Sequence, residues 1–85
     1  GIEDGQFNLP VEITVDAFGN VYVSENQNHR IQKFTPTGIF ITKWGSYGSE
    51  DGQFCGPFGV AVDTSGNVYV VDRVNHRIQV FAPAP

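Results

Sequence analysis

Two His-Arg pairs carry the residue types best suited to chemistry in this chain: His29-Arg30 and His76-Arg77, each preceded by an asparagine, Asn28 or Asn75. An imidazole can ligate a metal or move a proton near neutral pH, and a guanidinium recognises carboxylates and phosphates. Repeated around one rim, such turns would form a polar binding face or a ring of imidazoles. A metal site needs three or four converging ligands, however, and one His per turn spreads them too far apart. In the structural alternative, Asn caps the turn while His and Arg tie neighbouring loops together by hydrogen bonds. The recurrence of the same residues at the same turn favours that alternative. Asp16 and Asp63 could act as paired carboxylates, but each stands at a turn, where Asp accepts backbone N–H bonds. Residues 45–49 are Gly-rich, yet they precede a strand and lack the Lys and helix N-terminus of a phosphate cradle. Ser24, Ser46 and Ser65 have no nucleophile elbow or triad around them. The single Cys55 excludes an internal disulfide and a multi-cysteine zinc site. It occupies the place of Asn8 one repeat earlier and reads as a small loop residue. No catalytic residue, metal or cofactor is assigned, and the chain is read as a non-enzyme.

The elements that hold these residues come from a repeat. Gly19-Asn20-Val21-Tyr22-Val23 with Asn28-His29-Arg30-Ile31-Gln32-Lys33-Phe34 returns as Gly66-Asn67-Val68-Tyr69-Val70 with Asn75-His76-Arg77-Ile78-Gln79-Val80-Phe81. The shift is 47 residues, and it also carries Glu3-Asp4-Gly5-Gln6-Phe7 onto Glu50-Asp51-Gly52-Gln53-Phe54. Over the 38 aligned pairs 21 are identical, which makes the period a structural unit rather than a coincidence. Residues 1–47 form the first unit of a single segment spanning 1–85, and 48–85 form a second, incomplete one.

Within the unit, Val11 to Asp16 alternates apolar and polar residues with the period of a strand. Asn20 to Glu25, Arg30 to Phe34 and Ile39 to Trp44 follow as further strands, separated by Gly-, Asn- and Pro-containing turns. No stretch has helical periodicity. The expected unit is a four-stranded antiparallel meander, a to d, and the second unit stops after strand c. The prolines of Ala82-Pro83-Ala84-Pro85 discourage further pairing at that edge. Alternation places Val15, Val21, Val23, Ile31, Phe34, Ile41, Val62, Val68, Val70, Ile78 and Phe81 in the core. Trp44, Phe40, Tyr22 and Tyr69 are read as packing between units. Phe7 and Phe54, each a lone aromatic in an acidic Gly-rich loop, are expected to latch adjacent units. In a meander the b–c turns and the d-to-a crossovers share one rim, so Asn28, His29 and Arg30 should lie beside Glu3 and Asp4.

Asp-x-x-Gly-Asn-Val-Tyr-Val, then Asn-His-Arg-Ile-Gln-x-Phe, then Asp-Gly-Gln-Phe, resembles the NHL repeat. Arg30 and Arg77 stand at the third position of the family's Asn-His-Leu signature. The resemblance covers essentially the whole chain. It implies an all-β fold of antiparallel propeller blades, commonly six to a ring, with strand a innermost. It also implies roles from RNA and protein binding to a few enzymes, none attached to the repeat motif itself. The alternatives to a non-catalytic scaffold are therefore an excised part of an enzyme resembling the peptidyl-amidating lyases, with metal-bound His, or an RNA-binding domain.

Composition narrows these. The net charge of −4 and a pI near 4.8 argue against nucleic acid and anionic membrane, since no basic surplus exists to displace counterions. No apolar run approaches the length of a membrane span, and no signal peptide is visible. A start at Gly1 and the absence of Met lead us to expect a processed, excised or engineered segment. A ligand or partner protein would be met where the copies differ, at Glu25-Asn26-Gln27 against Asp72-Arg73-Val74. The candidate binding residues are Asn26, Gln27, Arg73 and Val74, with His29 and His76 beside them. Finally, both faces of each blade carry apolar residues, so two blades leave two faces open, together roughly 800 Å². We expect self-association, head to tail, with three chains completing six blades.

Overall fold

The computed structural model describes residues 3–6 and 10–82. Seven strands form two antiparallel meanders: β1 (Pro10–Val15), β2 (Val21–Glu25), β3 (Arg30–Phe34) and β4 (Phe40–Trp44), then β5 (Pro57–Val62), β6 (Val68–Asp72) and β7 (Arg77–Phe81). Neighbours in sequence are neighbours in each sheet, in the orders β1-β2-β3-β4 and β5-β6-β7. No helix occurs among the described residues. The strands are short, rich in Val, Ile, Tyr and Phe, and divided by turns whose glycines supply positive φ, which is why the chain pleats rather than coils.

Register assigns the faces. Val21 pairs with Val15 and Phe34, whereas Tyr22 pairs with Thr14 and Lys33 and Ser24 with Ile31. The Tyr22–Ile31 face turns to the second sheet, where it meets Val60, Val68 and Val70 in a common core, with Trp44, Val62 and Phe81 packed on its edge. Trp44 sits 5.6 Å from Phe81 and 6.4 Å from Tyr22, ring centre to ring centre, so both first-unit aromatics serve the joint as expected. Phe40 instead packs on Phe34 within its own sheet, at 6.0 Å, and Tyr69 faces solvent.

Phe54 is the wedge. It is wholly buried, 5.7 Å from Phe81, in the connection that leaves β4 and enters β5. A Cβ on Gly45 would stand 2.6 Å from two of its ring carbons, so only glycine lets the chain cross the ring there. Phe7, its counterpart, lies outside the described residues.

Of the expected core, Val23, Ile31, Phe34, Val68 and Val70 are buried and Val21, Val62 and Phe81 partly so. Val15, Ile41 and Ile78 are exposed, contrary to expectation. Ile78 is 65% exposed and its twin Ile31 0%, because the same face has a neighbour in the first unit and, among the described residues, none in the second. Val15 lies on the outward face of the first sheet. Ile41 is the extra residue of a bulge: Lys33 pairs with Thr42 and Phe34 with Phe40, so Ile41 has no partner across the ladder.

Phe54→Ala should lower unfolding stability by about 3–5 kcal/mol, the cost of emptying a fully enclosed aromatic site. Urea denaturation followed by tryptophan fluorescence would measure it.

Candidate functional site

The b–c turn joins β2 to β3 in the first unit and β6 to β7 in the second. Its last residue, His29 or His76, takes a left-handed φ of 52° or 53°, an uncommon conformation that β-branched residues would resist. The next residue, Arg30, opens β3 and forms a buried pair with Glu25 (Nε–Oε2, 2.6 Å). The far side of the guanidinium donates to the carbonyls of Glu3 (3.0 Å) and Gln6 (2.8 Å). Gln32 completes the arrangement: its Nε2 donates to Glu25 Oε2 and to the Gln6 carbonyl, both at 2.7 Å, and its Oε1 accepts the Gly5 N–H at 2.8 Å.

The second unit repeats this with one residue changed. Asp72 pairs with Arg77 (2.9 Å), and Arg77 donates to the carbonyls of Ser49, Glu50 and Gln53, each at 2.8 Å. Gln79 donates to the Gln53 carbonyl (2.7 Å) and accepts from Gly52 N–H (2.9 Å). Asn75 donates to Asp72, as Asn28 donates to Glu25, each at 2.9 Å. Asp72 also accepts the Cys55 N–H at 2.8 Å. Burial pushes the Asp72 carboxyl up, but the bonds from Asn75, Cys55 and Arg77 outweigh it and hold the group below the usual carboxylate range. Thus the rim shared by the b–c turns and the Glu-Asp-Gly-Gln loops is as expected, and Arg and Gln are its fasteners.

Three of the six candidate binding residues come together around Gly56. His29 Nδ1 accepts its N–H at 3.1 Å, and a Cβ there would stand 3.2 Å from Asn26 Nδ2 and 3.3 Å from Val74 Cγ2. The His29 ring also lies edge-on to Tyr47 at 4.8 Å. Asn26 and His29 belong to the first unit and Val74 to the second, so the cluster clasps the entry to β5. Gln27, Arg73 and His76 share the rim but remain exposed and outside the cluster. Gln32, Gln79, Tyr47 and Gly56 were not singled out by sequence. The recurrence of Gln32 as Gln79 in the middle of strand c was an available signal. Gly56 carried none, since Leu9 stands at its place one period earlier.

On the opposite rim, Asp16 and Asp63 brace the a–b turns. Asp16 Oδ1 accepts from the N–H groups of Phe18 (2.9 Å) and Asn20 (3.0 Å), and Oδ2 from Asn20 Nδ2 (3.2 Å) and the Tyr22 hydroxyl (3.0 Å). Asp63 repeats the pattern with Ser65, Asn67 and Tyr69. Partial burial pushes Asp16 up, and its bonds from Asn20, Tyr22 and Phe18 overcome this; the bonds from Asn67 lower Asp63. Each carboxylate therefore has both oxygens committed to holding a turn. A cleft of about 580 Å³ opens between these turns, lined by Asp16, Tyr22, Lys33, Trp44, Asp63 and Phe81 among others. Among the described residues, no group of three or more His, Cys, Asp and Glu side chains is placed to hold a metal ion.

Two short-stranded meanders, stacked face to face and latched by an Arg–Gln–carboxylate network, define a repeat protein of the kind from which β-propellers are built. The NHL repeat family matches residues 7–34 and 54–81, more than half of the chain, and the chain belongs to that family. It is similar to Protein wech of Drosophila melanogaster, 47% identical over 38 residues. That match covers 45% of this chain and 5% of that protein, so the chain spans only a small part of its relative.

Asp72→Asn should cost about 3 kcal/mol at neutral pH, because it leaves Arg77 without its anionic partner. The carboxyl is held below its ordinary value in the folded state, so its contribution is present above that value and disappears as pH falls through the lower, folded one. Chemical denaturation from pH 7 to pH 2 should show a shallower acid limb for the variant than for the parent.

Proposed function

We propose that the chain is a non-catalytic propeller-type interaction module whose outward faces dock further copies of the chain, head to tail. The observation that carries this is a comparison of two equivalent faces. The first sheet presents Thr14, Tyr22, Ser24, Ile31 and Lys33 to the joint. One period later the outward face of the second sheet presents Ala61, Tyr69, Val71, Ile78 and Val80, all exposed. The exposed face is thus the more apolar of the two. Exposed apolar surface of that extent marks an interaction site in a soluble protein.

Its complement is the outward face of the first sheet. Ile13, Val15, Val21 and Phe34 stand one period before Val60, Val62, Val68 and Phe81, which form the other side of the internal joint. A second copy offering its Tyr69–Val80 face to the Ile13–Phe34 face repeats the internal packing between chains. Such a contact is heterologous and closes only as a ring. Three chains supply six blades, the number the family resemblance implies. Burial of roughly 800 Å² per chain would contribute on the order of 20 kcal/mol before the entropy of association is set against it. The commitment of Asp16 and Asp63 to turns supports a binding role over an acid–base one.

Sedimentation velocity at micromolar concentration should give a mass near three times 9.3 kDa. Val15→Glu, which places a charge on one of the two faces, should reduce it to the mass of a single chain with the melting transition retained. A parent protein that sediments as a single chain would refute the reading.

A further inference from the structure

The loop that carries Phe54 into the joint holds a dipeptide with a chemistry of its own. Five aspartates stand in the chain, and of these only Asp4 and Asp51 precede a glycine. An aspartyl–glycyl pair can rearrange its own main chain. The nitrogen of the following residue attacks the side-chain carboxyl carbon, and a glycine, having no Cβ, leaves that nitrogen unshielded. Asp51 is exposed, and a Cβ on Gly52 would meet nothing within 4 Å, so a ring closing there has room.

A turn and its fastening keep the two groups apart. The Gln53 N–H donates to the Glu50 carbonyl at 3.0 Å, and Gly52 takes a φ of +79° while Asp51 takes no positive φ. These are the marks of a type II turn with Asp51 at its second position. Such a turn points the Gly52 nitrogen away from the Asp51 carboxyl group, and ring closure needs rotation about the Cα–C bond of Asp51. Gln79 opposes that rotation. Its Oε1 accepts the Gly52 N–H at 2.9 Å, and its Nε2 donates to the Gln53 carbonyl at 2.7 Å. The first unit has the same clamp, with Gln32 Oε1 accepting the Gly5 N–H at 2.8 Å. In each loop, therefore, the acceptor end of a mid-strand glutamine holds the one amide that could attack an aspartate.

We propose that Asp51–Gly52 is a site of main-chain isomerisation, that Gln79 holds it closed, and that the product unfastens the loop. In the first step the Gly52 nitrogen forms a bond to Cγ of the protonated Asp51 carboxyl, whose C–O bond breaks. One water leaves with the amide proton, and a five-membered succinimide remains. Water then opens the ring. Cleavage at the Asp51 main-chain carbonyl leaves the chain running through the side chain, as isoaspartate, with no net gain or loss of atoms or electrons.

The path from Asp51 to Gly52 is then one carbon longer, and Gln53 and Phe54 follow directly. The Gln53 carbonyl that Arg77 and Gln79 hold is displaced, and with it the ring that wedges the joint. Neither Asp51 nor Gln79 belongs to the two faces proposed for association, so the site stands independently of that reading.

The test is prolonged incubation of the whole chain in mildly acidic buffer, followed by digestion and electron-transfer fragmentation, which tells isoaspartate from aspartate at each position. Asp4 serves as the internal reference. In the folded parent, conversion at Asp51 should be slower than in urea by roughly tenfold or more, because urea leaves no turn to hold the groups apart. Gln79→Met, close in length but without donor or acceptor, should speed conversion at Asp51 by roughly tenfold, as loss of one or two hydrogen bonds raises the opened population. Asp4 should be unchanged in that variant, since a general loosening would speed both positions. The isoaspartyl chain, separated by ion exchange, should melt below the parent. Equal rates at Asp51 in the folded and the urea-unfolded parent overturn the proposal, and that comparison needs no variant. So does a Gln79→Met chain with no rise at Asp51 or an equal rise at Asp4, or an isoaspartyl chain that melts with the parent.

Discussion

A sheet that is apolar on both faces has to be covered on both faces, and this constraint organises the whole molecule. Each sheet here is at most four strands wide and five or six residues long, too small to curl around its own core. Stacking is the remaining solution, as in other repeat architectures, where each unit buries its surface against its neighbours. The joint between the two sheets is the visible instance. Tyr22, Ile31 and Trp44 from one side meet Val60, Val68, Val70 and Phe81 from the other, with Phe54 inserted where the chain crosses between them.

Stacking alone would leave the crossing loop with unmet backbone carbonyls, and the b–c turns resolve this. Arg30 and Arg77 each reach back 24 to 28 residues to bond loop carbonyls. Gln32 and Gln79 bond the same loops from mid-strand, where a polar side chain would otherwise be a liability. Glu25 and Asp72 hold both donors in place. A buried charge pair adds little net stability over apolar residues of equal size. Its use here is positional: it fixes which loop lies over which strand, so that Phe54 enters the joint in one register.

How much of this was visible in the sequence depends on which relation is asked about. The strands, their order and the shared rim followed from alternation and from the 47-residue recurrence, because each is a property of one unit. The exposure of Val15 and Ile78 was hidden for the same reason. Alternation marks a residue as belonging to a face, and only the number and placement of neighbouring sheets decides whether that face is covered. Ile41 was hidden by a bulge that shifts pairing by one residue between Lys33 and Phe34. The rim cluster was half legible. Divergence between the copies pointed to Asn26 and Val74, along with Gln27 and Arg73, which stay outside the cluster; His29 was named as their neighbour, and nothing indicated Gly56, the residue that draws Asn26, His29 and Val74 together.

The divergence between copies falls unevenly, and its distribution has a physical meaning. Residues Val15, Val21, Val23 and Phe34 are unchanged at Val62, Val68, Val70 and Phe81, and Ile13 becomes the similar Val60. The opposite faces differ: Thr14, Ser24 and Lys33 become Ala61, Val71 and Val80. Inside the joint, Lys33 keeps its ammonium 5.3 Å from the centre of the Tyr22 ring, beside the cleft, where water can reach it. Val80 offers no such head group, so a sheet that packed on the second unit would make a drier contact than the one within the chain. Apolar contacts are little affected by ionic strength, whereas exposed ion pairs such as Lys43–Asp4 weaken with salt. The one template therefore yields two faces of different physical chemistry. The one inside the joint is part polar, and the outward one on the second sheet is the more apolar.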